Sequence, residues 1–302
     1  MRSPIRVGTR RSRLAQAQTG LVVNRLTRLA PAYRFETVPI ETSGDRDRRP
    51  GSSPDFTDAI DRALARGEID LAVHSAKDLP SELDRRFALA ACPPRADPRD
   101  CMVVGDTVDP LHLPIHGRVG SSSLRRRAQL LRWRPDLTVV EIRGNVDTRI
   151  ELVRSGSVDA AILAVAGVQR LERTSEIGRI LPAESFLPAP AQGALAVVTR
   201  ARDRALTRIA GRVDHAPSHA CVTAERALSA ALGGDCRVPL GALARSRSGV
   251  LSLTGEVLTA DGRIRLRARR SGPARRAEGL GRALGGELRR AGAMNLRSVR
   301  RE

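Results

Sequence analysis

The sequence predicts an α/β protein with two α/β domains and a small α+β domain at the C-terminal end. Three observations carry this. Over the first two thirds of the 302 residues, short apolar runs alternate with amphipathic segments of helical period. Between Pro182 and Pro190 that pattern breaks, as at a crossing between domains. The last third then changes to helix, glycine turn, three strands and helix.

In chain order, strands are expected at Ile5–Thr9, Phe35–Ile40, Asp70–Ser75, Ala88–Cys92, Met102–Val104, Arg118–Gly120, Thr138–Ile142 and Ala160–Val165. Helices are expected at Ser12–Leu29, Asp55–Arg66, Ser122–Arg132 and Val146–Ser155. Leu14, Ala17, Leu21 and Val22 recur at helical spacing, as do Ile60 and Leu64. Glu41–Ser53 is polar, charged and glycine-bearing, and reads as a mobile loop. Gln192-Gly193-Ala194 opens a further strand, Leu195–Val198. The last third gives a helix over Ser218–Leu232, strands Leu240–Arg245, Val250–Thr259 and Arg263–Arg270, and a helix over Ala274–Ala291.

The net charge of +19 calls for an anionic partner. Aromatic residues at 2% leave little for base stacking, which favours small polyanionic substrates over nucleic acid. Cys92, Cys101, Cys221 and Cys236 form no CxxC pair, so no metal site is expected. Neither a signal peptide nor a run of the roughly 20 apolar residues that span a membrane is present, which points to a soluble cytoplasmic protein with free thiols. The solvated helix faces favour a monomer.

Lys77 is the single lysine among 52 lysine and arginine residues. It lies at the end of an apolar run, beside His74, Ser75 and Asp78, where open α/β sheets keep their chemistry. A lysine supplies a compact point charge with a tunable pKa that guanidinium cannot imitate. Asp78 reads either as a turn aspartate before Leu79-Pro80 or as a carboxylate that stabilises a cation formed on the substrate. His74 reads as a structural group on the strand. Gly8-Thr9-Arg10, Gly120-Ser121-Ser122-Ser123-Leu124-Arg125-Arg126 and Arg143-Gly144-Asn145 up to Arg149 each bring arginine to a strand-to-helix turn. Helix starts offer N–H groups to anions, and guanidinium adds forked bonds to carboxylates. Three such turns suggest a cleft that holds several anionic groups at once. Cys236 follows Gly233-Gly234-Asp235. Arg237 favours its thiolate and Asp235 opposes it, so locally it is either a covalent site or an incidental thiol.

These segments, with Ala72–Pro80, Asp97–Asp100, Ile162–Gly167, Gln192–Ala194 and Ala224–Arg226, resemble the hydroxymethylbilane synthase (porphobilinogen deaminase) family over nearly the whole chain and in the family's order. The resemblance implies two periplasmic-binding-protein-like α/β domains, here residues 1–95 with 194–213 and residues 96–193. A C-terminal cofactor-attachment domain would follow over residues 214–302. It implies that four porphobilinogen molecules are condensed head to tail with loss of ammonia, on a dipyrromethane cofactor held by Cys236. Asp78 corresponds to the family's catalytic aspartate. Ser75, Lys77, Ser123, Arg125, Arg126, Arg143, Gly144 and Asn145 correspond to cofactor contacts. Arg10, Arg143, Arg149, Arg170, Phe56 and Gln192 correspond to substrate contacts. The rival expectation is a non-catalytic or specialised anion-binding paralogue on the same scaffold.

Overall fold

The computed structural model describes residues 3–42, 57–105, 113–234 and 238–297. Phe56 and Cys236 lie outside these, as does most of the expected mobile loop. The chain divides into two compact units, one of residues 1–96 and 194–219 and one of residues 97–193 and 220–302. The division falls after Gly193, so Pro182–Pro190 lies wholly within the second unit, with Phe186 and Leu187 buried.

The chain opens with β1 (Ile5–Arg10), α1 (Arg13–Leu29), β2 (Phe35–Ile40), α2 (Asp58–Arg66), β3 (Leu71–Ser75) and β4 (Phe87–Ala91). Next come β5 (Asp100–Val104), β6 (Arg118–Gly120), α3 (Leu124–Trp133), β7 (Thr138–Val140), α4 (Val146–Arg154), β8 (Ala160–Ala164), α5 (Val165–Arg170) and β9 (Arg179–Ile180). After these lie β10 (Leu195–Arg200), α6 (Arg204–Ala210), α7 (Ala216–Ala231), β11 (Leu240–Arg247), β12 (Val250–Leu258), β13 (Arg265–Pro273) and α8 (Ala277–Arg290).

The first unit carries a mixed sheet in the order β2-β1-β3-β10-β4. β2, β1 and β3 are parallel, and β10 runs antiparallel to both β3 and β4. The second unit repeats the scheme as β7-β6-β8-β5-β9, with β7, β6 and β8 parallel and β5 antiparallel to both its neighbours. In each sheet the chain leaves the second strand for the edge (β1 to β2, β6 to β7) and returns on that strand's other side (β3, β8). Adjacent strands whose connections diverge open a crevice at their C-terminal ends, the usual ligand position of open α/β sheets. The third sheet is an antiparallel meander, β11-β12-β13. Its core unites Leu251 and Leu253 with Leu228 and Leu232 near the end of α7 and Leu284 and Leu288 of α8.

Local chemistry sets most element ends. Ser12, Ser123, Asn145 and Asp203 cap α1, α3, α4 and α6 by accepting N–H bonds within the first turn. Three elements depart from the sequence expectations. α5 continues the apolar run of β8 without a polar break, so its period is hidden there. α6 is short, and β9 has two residues defined only by pairing with β5. The stripe of α1 is also turned: Gln18, Thr19, Val22 and Leu26 are buried, while Leu21 is 55% exposed. Gln18 tolerates a core position because its amide has a partner there, described below.

Candidate active site

In the first unit, β3 is buried from Leu71 to His74, and the chain then enters a short 3-10 turn over Ala76–Asp78. Ala76 and Leu79 are buried, which fixes both ends of a two-residue step and leaves Lys77 and Asp78 exposed between them. The Ala76 amide donates to the Ala194 carbonyl at 3.0 Å, tying the turn to the start of β10. Asp78 has no hydrogen bond or ion pair among the described residues, so its carboxylate is uncommitted. Ser75 is positioned from α1: Gln18 Nε2 donates to Ser75 Oγ at 2.9 Å, and Gln18 is only 4% exposed. Arg10 closes β1 at the same end of the sheet. Burial, with the charge of Arg10 adding to it, lowers the His74 pKa to about 4. His74 is therefore neutral at pH 7, in keeping with a structural role on its strand.

In the second unit, the helix starts of α3 and α4 adjoin each other. Arg149 Nε donates to the Gly144 carbonyl at 3.0 Å and its Nη2 to Ser122 Oγ at 3.3 Å. Gly144 has φ +99, and a Cβ there would lie 2.8 Å from Thr148, so glycine is required for Asn145 to cap α4 and for Arg149 to reach back. Arg143 pairs with the half-exposed Glu141 at 2.6 Å, a contact that an incoming carboxylate can replace. Arg170, at the end of α5, donates through Nη2 to the Gly193 carbonyl at 2.7 Å. Neither Arg149 nor Arg170 forms an ion pair among the described residues. Burial, followed by the like charges of Arg126 and Arg143, draws the Arg149 pKa down to about 10; burial alone does the same to Arg170. Half-buried cations without a counter-charge are a site for an anion.

Arg125 and Arg126 stand elsewhere than their place on an anion-binding helix start implied. They are 4% and 6% exposed, and both hold the wholly buried Asp100: Arg125 Nη1 to Oδ2 at 2.8 Å, Arg126 Nη2 to Oδ1 at 2.7 Å. Arg125 also donates to the Leu187 carbonyl and Arg126 to the Ile162 carbonyl. Gln192, 1% exposed, joins them by donating to Asp100 Oδ1 and to the Pro98 carbonyl. Burial raises the Asp100 pKa, but the charges and hydrogen bonds of the two arginines outweigh it and hold the carboxyl at about 2.

Asp100→Asn leaves two buried guanidiniums without a counter-charge and is expected to cost about 3–5 kcal/mol of stability. Because the folded pKa is depressed, the carboxylate's stabilisation is full above the ordinary value of 3.8 and fades as pH falls towards about 2. Urea titrations across that window should show a steeper acid loss in the parent than in the variant. Equal slopes would remove Asp100 from the account.

Three groups escaped the sequence reading as functional residues: Gln18, Asp100 and Glu225. Each is a polar residue at an apolar position. Gln18 lies on the Val22–Leu26 face of α1, Asp100 opens the strand Asp100-Cys-Met-Val-Val, and Glu225 sits on the Cys221–Leu228 stripe of α7.

The family model for the dipyrromethane cofactor-binding domain of porphobilinogen deaminase matches residues 5–208, and that for the enzyme's C-terminal domain matches residues 219–290. The chain belongs to the porphobilinogen deaminase family. The porphobilinogen deaminase of Roseiflexus castenholzii is 44% identical over 98% of this chain and 99% of its own length. Those of Thermus thermophilus (44%, covering 91% and 92%) and Mycobacterium tuberculosis (43%, covering 97% and 98%) are similar throughout as well. Among solved structures, the chain is similar to the periplasmic VFT2 domain of Bordetella pertussis BvgS, at 15% identity and TM-score 0.43 over 69% of this chain and 86% of that one. It is also similar to an ABC transporter from Parabacteroides distasonis, at 15% identity and TM-score 0.43 over 68% and 69%.

Porphobilinogen deaminase family members are transferases with a dipyrromethane cofactor, a group that carries acetate and propionate carboxylates. The second unit fits such a group, because Arg149 and Arg170 are buried enough to need an anion and lack one among the described residues.

Proposed function

We propose that this protein is a hydroxymethylbilane synthase that joins four porphobilinogen molecules head to tail, with loss of ammonia from each, and releases the chain with one water as hydroxymethylbilane for porphyrin synthesis. The uncommitted carboxylate of Asp78, held outward beside Lys77 at the switch point of the first sheet, carries the reading. At neutral pH the aminomethyl group of porphobilinogen is an ammonium. Its C–N bond breaks with both electrons leaving on ammonia, and one positive charge stays on the methylene carbon and pyrrole ring. Asp78 pairs with that charge. Once the new C–C bond has formed, a carboxylate oxygen of Asp78 accepts the proton lost from the ring carbon.

The cations divide the remaining work. Arg10 and Lys77 in the first unit, and Arg143, Arg149 and Arg170 in the second, take substrate and cofactor carboxylates, with Ser75, Ser123, Gly144 and Asn145 supplying polar contacts. Arg125, Arg126 and Gln192 act indirectly, closed on Asp100 in the interior of the second unit. Phe56, outside the described residues, corresponds to the family's aromatic near the pyrrole rings. When bound, the dipyrromethane supplies the free pyrrole carbon to which the first substrate unit is joined. Cys236 is the attachment point, and the other thiols support this by their burial. Cys92 and Cys101 are 0% exposed and Cys221 6%, and burial pushes the Cys101 thiol up to about 12. A thiol held neutral and out of solvent is a poor nucleophile. The proposal includes a monomer in the reducing cytoplasm, in line with three described cysteines that form no disulfide.

Purified protein given porphobilinogen should release ammonia and hydroxymethylbilane in a ratio of four to one. No ammonia release from protein whose intact mass includes a bound dipyrromethane would overturn the assignment.

A further inference from the structure

The turn Ala191-Gln192-Gly193 is strained and pinned from one side. Ala191 has φ +61 and Gly193 φ +84, and the first of these is a left-handed conformation that a side chain disfavours. Glu225, a wholly buried carboxylate on α7, accepts from the Ala191 amide at 2.5 Å and from the Ala244 amide of β11 at 2.6 Å. From the other side of the turn, the Gly193 carbonyl takes the Arg170 guanidinium at 2.7 Å and the Gln192 amide reaches Asp100 at 3.0 Å. The turn thus carries two of the groups assigned above, and the acceptor that fixes its shape comes from the C-terminal segment.

We propose that Glu225 is a positioning residue: by holding the Ala191 amide it keeps the turn left-handed, and through the Gly193 carbonyl it aims Arg170 at a substrate carboxylate. This rests on the synthase reading for the identity of the substrate, but the geometry of the turn is independent of it. A carboxylate suits the task because it accepts two N–H bonds at once. An amide of the same shape turns a donor towards one of them and leaves it unsatisfied. Loss of aim at Arg170 weakens a contact made equally in the bound and reacting states, so the effect belongs in KM rather than kcat.

The experiment uses the cofactor-loaded protein as Glu225→Ala and Glu225→Gln, each alone, with Arg170→Ala, and with Ala191→Gly. Amide exchange at Ala191 reports the turn whatever the substrate is, and porphobilinogen kinetics report the aim. Exchange at Ala191 and KM are expected to rise together, with KM up about 10-fold and kcat within about 2-fold. In an Arg170→Ala background, replacing Glu225 should add nothing further to KM, as for two residues in one chain of contacts. Ala191→Gly should recover part of the lost KM, because glycine adopts the left-handed turn without help. A variant with Ala191 unprotected and KM unchanged, or with KM raised and Ala191 still protected, overturns the proposal. Full additivity with Arg170→Ala does the same. Absence of any turnover by the parent protein overturns the synthase reading instead, and Ala191 exchange then still decides whether Glu225 holds the turn.

Discussion

Asp78→Asn is expected to leave the fold and the bound cofactor intact while slowing turnover about 10²–10⁴-fold, the span associated with a lost positioned acid or base. The fold should survive because Asp78 is exposed and makes no hydrogen bond or ion pair among the described residues, so the amide leaves nothing unsatisfied. Its neighbours Ala76 and Leu79 remain buried and keep the turn in place. What is lost is one negative charge beside a developing positive one. Asp78→Glu keeps the charge and changes only its reach, so it should be the milder variant. The measurement is single-turnover ammonia release after cofactor content has been matched by mass. Parent and Asn variant releasing ammonia at the same rate would reduce Asp78 to a turn residue.

Cys236→Ser is expected to give a folded protein with the bare polypeptide mass and no turnover, the largest loss of any single substitution. Helix α7 stops where Gly233 and Gly234 take φ +90 and +60, with their amides returned to the carbonyls of Ala230 and Ser229. The chain is fixed again at Pro239, whose carbonyl accepts from the Leu258 amide. Four residues, Asp235 to Val238 with Cys236 among them, separate these two anchored points in the sequence. Serine matches cysteine in size and leaves both anchors untouched, so stability should be little changed, but its hydroxyl is a far weaker nucleophile than a thiolate. Replacing Cys92, Cys101 or Cys221 should leave the attached mass in place. A Cys236→Ser protein that still carries the two pyrrole units, or turns over normally, would transfer the attachment elsewhere.

Much of this molecule could be read from residue order. The strand and helix sequence followed from apolar period and capping residues, with small errors at element ends and with α5 concealed because it prolongs an apolar strand. The arginine-bearing helix starts and the Lys77-Asp78 strand end were visible because such groups are local: a few neighbouring residues define each turn. The positions of Gly144 and Asn145 show the same economy, since one needs a left-handed backbone and the other caps the helix that this backbone starts.

Local sequence could not say which charged groups already have partners. Arg125, Arg126 and Arg149 are alike as residues near helix starts, yet the first two are closed on Asp100 from 25 and 26 residues away, and the third has no carboxylate among the described residues. Gln18 finds Ser75 across 57 residues, and Glu225 finds Ala191 across 34. Such pairings exist only once β3 has returned beside β1, β8 beside β6, and α7 has packed on its sheet. The sequence by itself determined the kinds of groups present, the local turns that present them and the family. The tertiary structure decided which of these charges are neutralised in the interior and which have no counter-charge among the described residues, because a buried charge is tolerable only with a counter-charge that sheet topology brings from far along the chain.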